Sequence, residues 1–116
     1  MKEESRNPKF ILLKSGVLKI QYCARHKELA GNDPKNPDVI GGGWWHLSDD
    51  KTEITFYALS TDFGYATKEQ IIASLDSDVK RPHAMMGVER VFYAPFHALK
   101  LPAAMEKREL IYTIAP

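Results

Sequence analysis

The sequence has a single cysteine, Cys23, so no disulfide can form within the chain. That fits a reducing compartment. It has no long apolar run either. The first, "FILL" at residues 10–13, is too short for a signal-peptide core or a membrane span, and the "MKEESRNPKF" before and into it is polar. No repeat and no low-complexity tract occurs. Charge of one sign is missing too: 16 basic against 15 acidic residues leave a net charge of +1. General binding to nucleic acid or to a membrane surface therefore has no electrostatic basis in the composition. The HExxH and paired-cysteine patterns of zinc sites are absent, and His46, His83 and His97 have no metal-ligand spacing with one another. No metal or other cofactor is expected. What remains is a chain of 116 residues, 44% hydrophobic and 27% charged, which suits one cytoplasmic domain spanning residues 1–116 with a modest core.

Periodicity divides this chain into strands and short helices. Residues 9–22, "KFILLKSGVLKIQY", read as a hairpin turning at Ser15-Gly16. Phe10 to Leu13 are apolar on both alternating faces, the pattern of a strand covered on both sides. Leu18, Ile20 and Tyr22 alternate with Lys19 and Gln21, which is a half-buried pattern. "ARHKELA", residues 24–30, contains helix formers and no β-branched residue, and predicts a helical turn or short helix. "GNDPKNPD", residues 31–38, is a loop. Residues 39–60 read as a second hairpin over Asp49-Asp50-Lys51, with Ile54, Phe56 and Ala58 on one face and Thr55, Tyr57 and Leu59 on the other. Thr67 and Gln70 have capping-box spacing, and Ile71, Ile72 and Leu75 form an apolar stripe, so a helix is predicted over 67–76. "RPHAMMG" is a loop, "VERVFYA" at 88–94 a strand, and "ELIYTI" at 109–114 a last strand or a packed tail. The predicted class is α+β, a mixed β-sheet flanked by two helices.

Three stretches could carry chemistry. In "DVIGGGWWHL" the glycines at 41, 42 and 43 clear both faces of a strand. They either bring backbone N–H groups close to an anion or admit another element packed tightly against the strand. His26, between Arg25 and Lys27, is either a base working near neutral pH or a surface histidine in a charged turn. "LSTDFG" supplies the Ser60 hydroxyl, the Asp62 carboxylate and Gly64 to relax a turn. Its DFG triplet does not indicate a kinase, because no catalytic loop or nucleotide-binding lysine context precedes it.

The order of these pieces is distinctive. A lysine opens the strand "KFILL"; "RHKELA" follows the next strand; then come "IGGG", the strand pair in "DDKTEITFYALS", "STDFG" and the capped helix "TKEQIIASL". Over residues 8–76 this order resembles the small protein phosphohistidine phosphatases, also called the Janus or ocnus family. Residues 96–116 are an unmatched C-terminal extension. The resemblance implies a mixed sheet flanked by two helices. It implies a hydrolase that removes phosphoryl groups from protein histidine, or another phosphoramidate, without a metal. His26 would be the general base, with Lys9 and Ser60 as phosphate contacts, and the glycines at 41–43 the floor beside the site. The expected partner is a phosphorylated protein or a small phosphoramidate.

Several positions depart from the family pattern. Trp44 stands where the family has an arginine directly after the glycines. A second family arginine aligns near Leu18, with Lys19 beside it, and Asp62 replaces a small residue. A carboxylate within about 5 Å of a phosphate dianion weakens binding several-fold unless paired or turned away. Trp44 is then either a flat apolar wall of the site or a cover over the core. Two readings follow: a divergent phosphohydrolase, or a non-catalytic module that uses the same cleft to bind a peptide or small ligand. In a variant of the first, Asp62 pairs with His26 and raises its basicity.

Overall fold

The computed structural model describes residues 7–23, 25–60, 62–76, 87–95 and 100–114. Six strands, β1 (Asn7–Leu13), β2 (Leu18–Cys23), β3 (Val39–Leu47), β4 (Glu53–Tyr57), β5 (Arg90–Tyr93) and β6 (Glu109–Thr113), form one sheet in the order β2-β1-β3-β4-β5-β6. All neighbours are antiparallel except β4 and β5, which run parallel from Glu53 opposite Arg90 to Phe56 opposite Tyr93. Two α-helices, α1 (Lys68–Leu75) and α2 (Leu101–Lys107), and a 3-10 helix (His26–Ala30) complete the fold. The class is therefore α+β, with a mixed sheet and two α-helices. Among the described residues no helix is long and apolar enough to cross a membrane.

Strand β1 runs through the middle of the core because its sequence is apolar on both faces. Phe10 and Leu12 join Leu18, Trp45, Ile54, Phe56 and Val91 under Ile71 and Leu75 of α1. Phe10 meets Phe56 edge-on, with ring centroids 4.9 Å apart, worth about 1 kcal/mol beyond burial. On the opposite face Ile11 packs with Cys23 and with Leu29 and Ala30 of the 3-10 helix. Farther along that face Tyr57, Ala94 and the half-buried Trp44 pack against Leu101, Ala103 and Ala104 of α2. One face thus carries α1, and the other carries the 3-10 helix and α2.

Both hairpins form where the sequence predicts them. Gly16, at φ 92°, turns the first, and in the second Asp50 accepts hydrogen bonds from the Ser48 and Thr52 hydroxyls and the Thr52 N–H. Those bonds, the Ser48 hydroxyl's first, hold the Asp50 pKa down at about 2. The predicted strand to residue 60 is too long. Ala58 has φ 61°, so β4 ends at Tyr57. That reversal moves Ala58 away from the face of Ile54 and Phe56 and into the cluster with Tyr57. The Thr67–Gln70 capping box is present: the Thr67 hydroxyl accepts from Gln70 N–H and the Gln70 side chain accepts from Thr67 N–H. Residues 26–30 form a 3-10 helix rather than an α-helix, and 109–113 pair as a strand. Helix α2 has no extended apolar stripe to predict it, although Pro102 in its first turn followed by Ala103, Ala104, Met105 and Glu106 is a helix-start pattern. Arg90 and Arg108 both reach Glu53, at 3.0 and 3.3 Å, and tie β5 and the start of β6 to β4. The "RPHAMMG" stretch, apart from Gly87, lies outside the described residues, as do His83 and His97.

Candidate functional site

The site forms on the sheet face that carries the 3-10 helix. Register dictates its first row: Lys9 of β1 lies opposite Trp44 of β3, and Trp44 lies opposite Tyr57 of β4. Directly paired residues share a face, so these three side chains stand side by side. Lys9 is 8% exposed, and its Nζ lies 5.3 Å from the centroid of the Trp44 ring, within reach of a cation–π attraction. The indole is therefore neither an open wall nor a simple core cover. It lies under an ammonium and packs on α2.

His26 begins the 3-10 helix. The Glu28 carboxylate accepts the Arg25 N–H at 2.7 Å, fixing the entry to the helix, and Gly31 closes it at φ 70°. His26 is 6% exposed, which removes the reading of a surface histidine in a charged turn. Its Nε2 lies 2.7 Å from the Gly43 carbonyl oxygen. A carbonyl only accepts, so Nε2 carries the proton, and in the neutral ring Nδ1 is the basic nitrogen. The Cδ2–Nε2 edge faces Gly42 and Gly43, which leaves Nδ1 on the edge turned away from β3. Burial lowers the His26 pKa below its ordinary 6.5. The Gly43 bond opposes that, the Lys9 charge adds to it, and the Asp62 charge opposes it. The ring is thus kept neutral, and it senses both Lys9 and Asp62.

The three glycines are required by close approach. A Cβ at Gly41 would meet the Tyr65 carbonyl oxygen at 2.5 Å and Ala66 N at 2.9 Å. At Gly43 it would meet the Tyr57 carbonyl oxygen at 2.6 Å and Phe10 Cε1 at 2.9 Å. At Gly42 it would meet the Phe10 carbonyl oxygen at 2.6 Å, with His26 Cδ2 and Ser60 Cβ both at 3.3 Å. The last two distances put those His26 and Ser60 atoms within about 7 Å of each other. The Gly42 N–H donates to the Gly64 carbonyl at 3.1 Å, so it is already engaged and does not point at a ligand.

Ser60 is fully buried. Its N–H donates to Gly64 O, its carbonyl accepts from Gly64 N–H, and its hydroxyl accepts from Phe63 N–H at 3.2 Å. In this conformation Ser60 closes its loop, and a phosphoryl group reaches its hydroxyl only if that loop opens. Asp62 is exposed on the same loop. The fold thus brings Lys9, His26, Gly42, Trp44 and Ser60 together and leaves Asp62 at the rim. Sequence reasoning missed Tyr57 as the far neighbour of Trp44, and α2 as its backing. Hairpin register would have given the first; the second had no signal beyond Pro102. A cavity of about 320 Å³ lies elsewhere, beside Tyr65, Tyr93, Lys68, Lys107 and Glu109, and none of the predicted site residues lines it. Among the described residues no group of three or more His, Cys, Asp or Glu side chains could hold a metal ion. No family model, curated protein or solved structure matches the chain.

Proposed function

We propose that the chain is a divergent phosphohydrolase of the phosphohistidine phosphatase kind, acting on protein phosphohistidine or another phosphoramidate. The observation that carries this reading is the state of His26: Nε2 is committed to the Gly43 carbonyl, burial keeps the ring neutral, and Nδ1 is the basic atom. A general base must be unprotonated and held in a fixed orientation. In the reaction Nδ1 takes a proton from water as the oxygen attacks phosphorus. The P–N bond breaks with its electron pair on nitrogen, and the proton on Nδ1 is then available to that nitrogen. Lys9 supplies positive charge for the phosphoryl oxygens.

The second reading, a binding module without chemistry, draws on a specific observation as well. Ser60 is fully buried and the Asp62 carboxylate is near enough to influence His26, an arrangement less hospitable to a phosphate dianion than the family pattern. The two readings separate in one assay. Wild type is expected to release phosphate from phosphohistidine or phosphoramidate without added metal. His26→Gln, which keeps a donor for Gly43, is expected to lower the rate about a hundredfold or more. Equal rates for the two proteins, or no release by folded wild type, would sink the hydrolase reading.

A further inference from the structure

We infer that the cavity between α1, β5 and the end of α2 is a second binding site, for a small zwitterion with a flat apolar body, of the aromatic amino acid class. It is independent of the hydrolase reading, because none of Lys9, His26 and Ser60 lines it. Its volume of about 320 Å³ lies at the lower end of small-molecule sites, roughly 300–1,000 Å³. That space holds one small molecule.

The walls are set before a ligand arrives. Tyr93 of β5 donates its hydroxyl to the Ala66 carbonyl at 2.8 Å, which fixes its ring. Pro95, two residues on, is rigid by its own chemistry. These two rings give the cavity a flat apolar surface. Lys68 of α1 and Glu109 of β6 meet at 3.0 Å, so they join two walls and neutralise each other. Two charges remain. Glu69 stands in the first turn of α1 and Lys107 in the last turn of α2, and both line the cavity. Among the described residues neither side chain has an ion-pair or hydrogen-bond partner.

The four charges sum to zero, and that decides the ligand class. A phosphate dianion would meet one open cation and one open anion and gain nothing net. A molecule with both an ammonium and a carboxylate satisfies both: the ammonium goes to Glu69, the carboxylate to Lys107, and an aromatic ring lies on Tyr93 and Pro95.

A matched set of probes, titrated into the whole chain and followed by amide chemical shifts, tests the assignment. L-Phenylalanine carries both charges, phenethylamine only the ammonium, and 3-phenylpropionate only the carboxylate. Phenylalanine should saturate wild type at about 1–10 mM, the range for roughly a dozen non-hydrogen atoms at modest efficiency. It should shift Glu69, Tyr93 and Lys107 and leave His26 unmoved. Each single-charge probe should bind about threefold more weakly, the size of one exposed ion pair. Glu69→Gln should abolish the preference for phenylalanine over 3-phenylpropionate and keep that over phenethylamine; Lys107→Met should do the reverse. Both side chains are exposed, so both variants should fold as wild type does, which circular dichroism checks. Shifts centred on His26, tightest binding by 3-phenylpropionate, or both preferences intact in both variants would overturn the assignment. So would a failure of phenylalanine to saturate wild type in that range.

Discussion

Replacing Gly42 by alanine adds one carbon at the point where β1, His26 and the Ser60 loop meet. The new Cβ would stand 2.6 Å from the Phe10 carbonyl oxygen and 3.3 Å from both His26 Cδ2 and Ser60 Cβ. The side-chain contacts can give by a few tenths of an ångström. The carbonyl belongs to β1, paired on both sides, and cannot. Forced insertion of this kind costs about 2–3 kcal/mol, and the loss of glycine's freedom in the unfolded chain returns roughly 0.5–1 kcal/mol. The net loss is about 2 kcal/mol, or roughly 8–12 °C of melting temperature for a domain of this size. Thermal and urea unfolding followed by circular dichroism measure it. Gly31→Ala is the control. No atom lies within 4 Å of a Cβ there, and the only cost is its φ of 70°, about 1 kcal/mol. A Gly42→Ala midpoint equal to wild type would refute the claim that backbone approach, rather than chance composition, demands this glycine.

Two more outcomes follow from the same geometry. Thr67→Ala removes the cap of α1 and should cost about 1 kcal/mol, read as a lowered urea midpoint with an unchanged slope; a Thr67→Ser midpoint near wild type would tie the loss to the hydroxyl. The His26 pKa is lowered in the fold, so below pH 6.5 the unfolded chain binds a proton that the folded chain resists. Stability should therefore be fully present above pH 6.5 and fall as pH drops toward the folded pKa. His26→Gln should flatten that slope, and an equal slope in the variant would show that another group causes it.

The order of elements was legible wherever local pattern decides it. The double-sided apolar run of Phe10 to Leu13 marked the central strand, and the Thr67–Gln70 spacing marked the start of α1. Ala58 was illegible, because a positive φ in alanine is a tertiary imposition with no local signature. The resemblance to the phosphohistidine phosphatases, rather than composition or periodicity, put His26, Lys9, Gly42 and Ser60 in one group, and the fold sets Gly42 against His26 and Ser60. That resemblance could not give the hydrogen bond from His26 to Gly43, which spans 17 residues and fixes the tautomer. Nor could it show that Ser60 is sealed, because that depends on the Ser60–Gly64 and Ser60–Phe63 bonds within its loop.

The parallel pairing of β4 with β5 is a seam. On one side stand four antiparallel strands that contain Lys9, the glycines and Trp44. On the other stand β5 and β6, held across the seam by four register pairs and by the two arginines on Glu53. Parallel pairing is slightly weaker per residue, so native-state hydrogen exchange should open the β5–β6 unit at lower free energy than β1 and β3. His26, on the N-terminal side, keeps its bond to Gly43 in such an opening. Trp44 loses the backing of α2 if that helix goes with β5 and β6. Partial unfolding would then leave His26 in place while loosening the indole under Lys9, and these two parts of the sheet face would answer to different stabilities.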